Sequence, residues 1–301
     1  MGIVDGKVVI VTGAGRGIGR GHAIEFARQG AKVVVNDLGG AVEGSGSDLS
    51  PAQEVVEEIK GMGGEAIANG DNVADWEGAQ RLINSAVETF GDLNVLVNNA
   101  GILRDRMLVN MTEEEWDAVI NVHLKGTFAP TRWAATYWRE KVKAGETVDA
   151  RIINTSSTSG IFGNPGQTNY GAAKAGIASF TIIAARELGR YGITVNAIAP
   201  AALTRMTENL GGMAARAKDL KADEFNRMSA DNIAPLVVWL ASDQSKEITG
   251  RCFLVSGGRI AVAEGWNPGP SQDKGDRWDP AELGDVVPKL VAQAAPITGM
   301  Q

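Results

Sequence analysis

Thr12-Gly13-Ala14-Gly15-Arg16-Gly17-Ile18-Gly19 decides the fold of this chain. It follows an apolar run, Val8–Val11, and opens a stretch of helical pattern from about Ile18 to Gln29. So tight a turn between strand and helix needs residues that tolerate positive φ and carry no Cβ. Glycines there also let the backbone approach a pyrophosphate, which rests on the unpaired N–H groups of the helix N-terminus. Glycines alone would be a weak signal; the strand–turn–helix context makes this one specific. Gly13, Arg16, Gly17, Ile18 and Gly19 are therefore expected at a dinucleotide site.

Working outward, short apolar runs alternate with helical patterns. Strands are expected at Lys32–Asn36, Ala66–Ala68, Leu93–Val97, Arg151–Asn154, Thr194–Ile198 and Arg251–Val255. Helices are expected at Glu54–Met62, Trp76–Phe90, Glu113–Arg139 (one long helix), Asn169–Gly189 and Asp231–Ala241. Continuous apolar strands fit a parallel sheet covered on both faces. The alternation predicts an α/β, doubly wound, Rossmann-type parallel sheet with right-handed crossovers. No break in composition divides residues 1–260, which read as one domain. Residues 261–301 read as an extension, with an amphipathic helix over Pro280–Ala294 and a wrapping arm for the rest. The glycine-rich stretch Leu38–Ser50 reads as a loop.

Composition narrows the function. The net charge of −7 argues against nucleic acid as a partner. A single cysteine, Cys252, forms no internal disulfide, and His22 and His123 lack zinc spacing, so no metal site is expected. The N-terminus lacks signal-peptide character and no apolar run is long enough to span a membrane. A cytoplasmic protein is the expectation.

Asp37 ends the second strand, 18 residues after Gly19. A carboxylate there can accept hydrogen bonds from both adenosine ribose hydroxyls and repels a 2′-phosphate. No Lys or Arg follows before Lys60, which also favours NAD over NADP. Arg16, a cation inside the turn, is the counterargument.

Tyr170-Gly171-Ala172-Ala173-Lys174 opens a helix, and residues four apart share a helix face. A free phenol has a pKa near ~10, too high for a base at neutral pH. A neighbouring ammonium lowers it. The cluster Thr155-Ser156-Ser157-Thr158-Ser159 and the run Asn98-Asn99-Ala100-Gly101 end other strands. Ligands bind beyond such ends, so these segments should converge with the glycine turn.

Taken together these motifs resemble the short-chain dehydrogenase/reductase family, over about residues 5–260. The resemblance implies Ser157, thirteen residues before the tyrosine, as the catalytic serine, with Tyr170 and Lys174. It implies Asn99, Ala100 and Gly101 along the cofactor, Asn72 and Val73 at the adenine, and Thr204 at the nicotinamide carboxamide. His123 stands where the family has a catalytic asparagine, and is either a member of the proton relay or structural. Asn121 is not an obvious substitute for it, and Ala201 replaces a frequent glycine.

Longer segments, Val33–Gly40, Asn98–Arg106, Ile161–Asn164 and Ala234–Leu240, resemble one branch more closely. That branch is the (3R)-hydroxyacyl-CoA dehydrogenase part of peroxisomal multifunctional enzymes of type 2, and the chain resembles a stand-alone bacterial relative of it. That likeness implies NAD-dependent oxidation of a 3-hydroxyacyl-CoA, fatty acyl or steroid side chain, by a homodimer or homotetramer. A carrier-protein-linked 3-oxoacyl reductase and a free steroid or alcohol dehydrogenase are the alternatives. Residues 201–231 are expected to form a substrate lid, and Arg205, Arg216, Lys218 and Lys221 are candidates to meet CoA phosphates.

Overall fold

The five residues Val8-Val9-Ile10-Val11-Thr12 form strand β1, and every one of them is buried. Alternate side chains of a strand face opposite ways. Val9 and Val11 join an apolar cluster with Phe26, Val55 and Val237, whereas Val8 and Ile10 join another with Leu82, Trp138 and Ile193. A strand apolar on both faces thus has a helical layer on each side. The computed structural model describes residues 2–204 and 224–296.

In chain order the elements are β1 (Val8–Thr12), α1 (Gly17–Arg28), β2 (Lys32–Asn36), α2 (Ser50–Gly61), β3 (Glu65–Asn69), α3 (Trp76–Phe90) and β4 (Val95–Asn98). There follow α4 (Glu113–Ile120), α5 (Gly126–Lys143), β5 (Ala150–Thr155), α6 (Thr158–Phe162), α7 (Thr168–Leu188) and β6 (Ile193–Pro200). Beyond residue 224 come α8 (Ala234–Leu240), β7 (Cys252–Ser256), β8 (Arg259–Ala263) and α9 (Leu283–Gln293). The strands make one sheet in the order β3-β2-β1-β4-β5-β6-β7-β8. All pairings are parallel except β7 with β8. The strand order reverses between β1 and β4, and the crevice at that reversal is where such a sheet binds ligands. Register places Thr12 beside Asn36 and Asn98 beside Asn154, so the polar strand ends are level along one rim.

Three features depart from the sequence reading. The long helix over Glu113–Arg139 is interrupted: α4 and α5 are separated by a π turn, Asn121–Lys125, that holds His123 buried. Pro130 lies just beyond it and denies α5 an amide donor in its second turn. Secondly, a five-residue helix, α6, follows the serine cluster, with Ser157 as its N-cap. Thirdly, Arg259–Ala263 is an antiparallel strand on β7 rather than the start of an arm. A two-residue turn, Gly257 and Gly258, with φ of +51° at Gly257, folds it back. The expected helix near the end is present as α9, led by a capping box of Asp279 and Glu282. It has no buried residue, and Val287 and Val291 stand exposed on it. Among the described residues no helix is long and apolar enough to cross a membrane, and no group of metal ligands occurs.

Candidate active site

Gly13 and Gly17 have φ of +63° and +55°, a region that L side chains avoid. Space forbids side chains as well. A Cβ on Gly13 would lie 2.7 Å from the Ala100 Cα, and one on Gly19 would lie 2.1 Å from the Gly13 carbonyl oxygen. The turn is pinned from the neighbouring strand. Asn99 Nδ2 donates to the carbonyls of Thr12 and Gly13 at 2.9 and 3.1 Å. The Thr12 hydroxyl in return accepts from the amides of Asn99 and Ala100 at 2.9 and 3.1 Å. Arg16, the N-cap of α1, makes no capping bond with its side chain. The first N–H groups of α1 therefore get no partner from that side chain.

Asp37 faces this turn. Its Oδ2 accepts from the Gly15 amide and its Oδ1 from the Gly39 amide, both at 2.7 Å. A cleft of about 550 Å³ runs from here to the serine cluster. Arg16, Ile18, Asn72, Val73, Gly101 and Thr204 line it together with Asp37. Arg205, Arg216, Lys218 and Lys221, the cations expected to meet CoA phosphates, lie outside the described residues.

At the other end of the cleft the serine cluster sorts itself by hydrogen bonding. Ser156 Oγ donates to the Lys174 carbonyl at 2.8 Å, and Ser159 Oγ donates to Gln167 Oε1 at 2.7 Å. Both are used up in scaffolding. Ser157 accepts from the Ser159 amide at 3.1 Å and is hydrogen-bonded to the Tyr170 side chain. Lys174, buried, donates from Nζ to the Thr155 carbonyl at 2.6 Å, and its ammonium lies 5.5 Å from the Tyr170 ring centre. Helical spacing does bring the pair together.

Their ionisation differs from the simple expectation. Burial pushes the Tyr170 phenol up to about 12, the Ser157 hydrogen bond pulls it down, and the Asp105 charge adds to the rise. Burial also lowers Lys174 to about 7. Desolvation is the largest cause of both shifts. The two groups are coupled through space: a phenolate on Tyr170 favours the ammonium on Lys174, and the reverse.

His123 sits on the same wall. Its Nε2 is 2.8 Å from the Ile102 carbonyl oxygen and 3.1 Å from the Ile102 amide. Nδ1 is buried with no hydrogen-bond partner. The ring covers Gly101 so closely that a Cβ there would come within 2.3 Å of it. Burial and the nearby Lys174 charge lower its pKa to about 3. Asn121, exposed, also lines the cleft.

The chain matches the short chain dehydrogenase family over residues 7–218. It belongs to that family. The hydroxyacyl-CoA dehydrogenase ChsB1 of Mycobacterium tuberculosis is 44% identical over 291 residues, covering 93% of this chain and 87% of that one. The peroxisomal multifunctional enzyme type 2 of Mus musculus is 44% identical over 262 residues, covering 87% of this chain but 32% of the longer mouse protein. A crystal structure of a short chain dehydrogenase from Mycobacterium avium superposes with a TM-score of 0.89 at 59% identity, covering 99% of both chains. This short-chain dehydrogenase is thus an oxidoreductase acting on CH–OH groups.

The family's nicotinamide cofactor fits the residues present. The glycine turn leaves room where side chains would collide with backbone, the start of α1 offers N–H groups, and Asp37 stands at the end of β2. Further residues at the site escaped the sequence reading. Gln167 Nε2 donates to Asp105 Oδ2 at 2.7 Å, and its Oε1 accepts from Ser159 and from Asn164 Nδ2 at 2.9 Å. Asn169 Nδ2 donates to the Arg104 carbonyl at 3.0 Å. These bonds sew Arg104–Arg106 to the start of α7 and so hold Tyr170. Asp105 and Gln167 are 62 positions apart, and nothing in either segment marks the partner.

Proposed function

We propose that this short-chain dehydrogenase oxidises the 3-hydroxyl of a 3-hydroxyacyl-CoA to the 3-oxo group with NAD⁺, as a cytoplasmic homodimer or homotetramer. The observation that carries the chemistry is the hydrogen-bonded pair Ser157–Tyr170 with Lys174 behind it. Tyr170, as phenolate, takes the hydroxyl proton of the substrate. Ser157 donates to the reacting oxygen and stabilises the charge that develops on it. Lys174, anchored on Thr155, supplies the cation that stabilises the phenolate as it forms. Bound nicotinamide would supply the hydride acceptor. His123, neutral at physiological pH, positions Tyr170 and Gly101 rather than carrying protons.

The preference for NAD⁺ rests on charge. Asp37 is joined in the loop after β2 by Glu43 and Asp48, with no basic residue among them. Arg16 interacts favourably with Asp48, so part of its charge is already answered. The acyl-CoA assignment rests on the two relatives named as hydroxyacyl-CoA dehydrogenase and multifunctional enzyme. A fatty acyl chain and a steroid side chain are both within it. The exposed apolar face of α9 supports association with a second copy.

The test mixes purified protein with a 3-hydroxyacyl-CoA and follows reduced cofactor by absorbance, with NAD⁺ and NADP⁺ in parallel. Turnover with NAD⁺ at least tenfold faster supports the proposal. Activity confined to NADPH and a carrier-protein thioester, or to a free alcohol, overturns it while leaving the fold and family intact.

A further inference from the structure

The connection from β2 to α2 takes a long route. Leu38–Leu49 leaves the sheet, crosses the mouth of the cleft and returns. Its neck is closed by the Asp48 amide donating to the Leu38 carbonyl at 2.9 Å. Its tip turns on itself, with the Ala41 amide donating to Ser45 at 2.8 Å and the Gly44 amide to Ala41 at 2.9 Å. A compact loop with adjoining ends is an Ω-loop, a class often functional. The tip reaches the opposite wall. There the Leu103 amide donates to the Val42 carbonyl at 3.0 Å and Arg104 Nε donates to the Glu43 carbonyl at 2.9 Å. Gly44 rests on Ile102, where a Cβ would come within 3.0 Å of Cδ1. Leu38, Ala41, Val42 and Gly44 line the same cleft as Gly13 and Asp37.

We propose that Leu38–Leu49 is a strap that closes over the bound dinucleotide and must release Ile102–Arg104 before the dinucleotide leaves. Arg104 is the positioning residue that holds it shut. The inference rests on the dinucleotide reading of the cleft and is independent of the acyl substrate.

Three observations make the strap the moving part. First, none of its residues is buried, so detaching it exposes little apolar surface and opens at low cost. Secondly, Gly39 and Gly46 flank the tip with φ of +73° and +76°, and glycine absorbs backbone rotation there without Cβ strain. Thirdly, the anchor is rigid. Ile102 is held by His123, Arg104 by Asn169, and the Arg106 amide donates to the Gly166 carbonyl at 2.8 Å. The clasp consists of two hydrogen bonds, one of them from a guanidinium whose charge also favours the Glu43 carboxylate.

The experiment is stopped-flow displacement of NADH from the full chain, compared among wild type, Arg104→Ala, Arg104→Lys and Gly44→Val. Losing a charge-assisted hydrogen bond of ordinary net strength raises the open fraction roughly tenfold, and the NADH off-rate should rise by about the same factor in Arg104→Ala. Arg104→Lys, which keeps the charge, should fall between. Gly44→Val, strained by its positive φ and its contact with Ile102, should lift the strap without touching Arg104. Hydrogen exchange supplies a second readout: NADH should protect the Leu103 and Gly44 amides in wild type and fail to in Arg104→Ala. Melting temperatures of the free proteins should agree, which separates clasp loss from a folding defect. An NADH off-rate within twofold of wild type in both Arg104→Ala and Gly44→Val overturns the strap alone. Failure of wild type to bind NADH overturns the dinucleotide reading and the strap with it.

Discussion

The imidazole of His123 meets the ring of Tyr170 edge-on, with centroids 5.1 Å apart and planes at 85°. The contact links the π turn between α4 and α5 to the first turn of α7. It also places a neutral, buried group where a proton carrier would have to ionise. Edge-to-face packing fixes ring orientation and is worth about 0.5–1.5 kcal/mol beyond the area buried. Its consequence is that the ring of Tyr170 is held by packing against His123 as well as by the hydrogen bond of its phenol to Ser157.

Replacing His123 by alanine should therefore slow catalysis without altering its pH dependence. Loss of positioning at a reacting group costs about ten- to a hundredfold in kcat. The limbs of kcat/KM against pH should stay where they are, because a group with a pKa of about 3 does not titrate between pH 5 and 9. A limb near neutrality that vanishes in His123→Ala would show His123 to be a proton carrier instead.

Tyr170→Phe should bind NADH within a few-fold of wild type and lose about 10²- to 10⁴-fold in kcat, the usual contribution of a positioned acid–base group. Fluorescence titration and steady-state rates on the same preparation separate the two effects. Retained turnover would remove Tyr170 from the chemistry.

Asp105 offers a test of electrostatics at a distance. Its own carboxyl is raised by burial, and its charge raises the Tyr170 phenol. Asp105→Asn keeps an acceptor for Gln167 and removes the charge, so the phenol should ionise more readily. In the oxidation direction the rising limb of kcat/KM should then move to lower pH. An unmoved limb would mean that bulk solvent or bound cofactor screens Asp105 from Tyr170.

Acid stability should fall early. His22 and His123 are both buried, and burial lowers each to about 3, against 6.5 for the free group. The unfolded chain therefore binds these protons first. Stability is full above pH 6.5 and is lost as pH falls from there towards 3. At pH 5 each histidine withdraws about 2 kcal/mol, at about 1.4 kcal/mol per pH unit. Urea unfolding at pH 7 and pH 5 measures this. His22→Met, which replaces a ring with both nitrogens unpartnered, should recover about 2 kcal/mol of the difference. An identical loss in wild type and variant would show that His22 is protonated or hydrated in the fold.

Much of the framework was legible in local patterns. The strand runs around Val8–Val11, Lys32–Asn36 and Arg151–Asn154 lie in β1, β2 and β5, because parallel strands covered on both faces carry a near-continuous apolar centre. Gly13, Gly17 and Gly19 were legible because a missing Cβ is a property of one residue. The i, i+4 pair Tyr170 and Lys174 was legible because helix geometry is periodic. Breaks in periodicity were not. The π turn at Asn121–Lys125 does not show in the local pattern; it holds His123 buried against Gly101 and Ile102, residues 21 or more positions away. The strand Arg259–Ala263 was missed because its partner β7 covers one edge only and leaves Ile260 and Val262 exposed.

Local sequence determined the sheet class, the glycine turn and the i, i+4 pair Tyr170 and Lys174, because each depends on residues close together in the chain, whereas Ser157 was implied by the family resemblance. Tertiary structure alone decided which serine bonds to Tyr170, what Asp105 and Gln167 hold, and that Leu38–Leu49 reaches across to Arg104. Those contacts are single hydrogen bonds, some between two side chains and some to backbone carbonyls, and they join groups whose partners nothing in the local sequence announces.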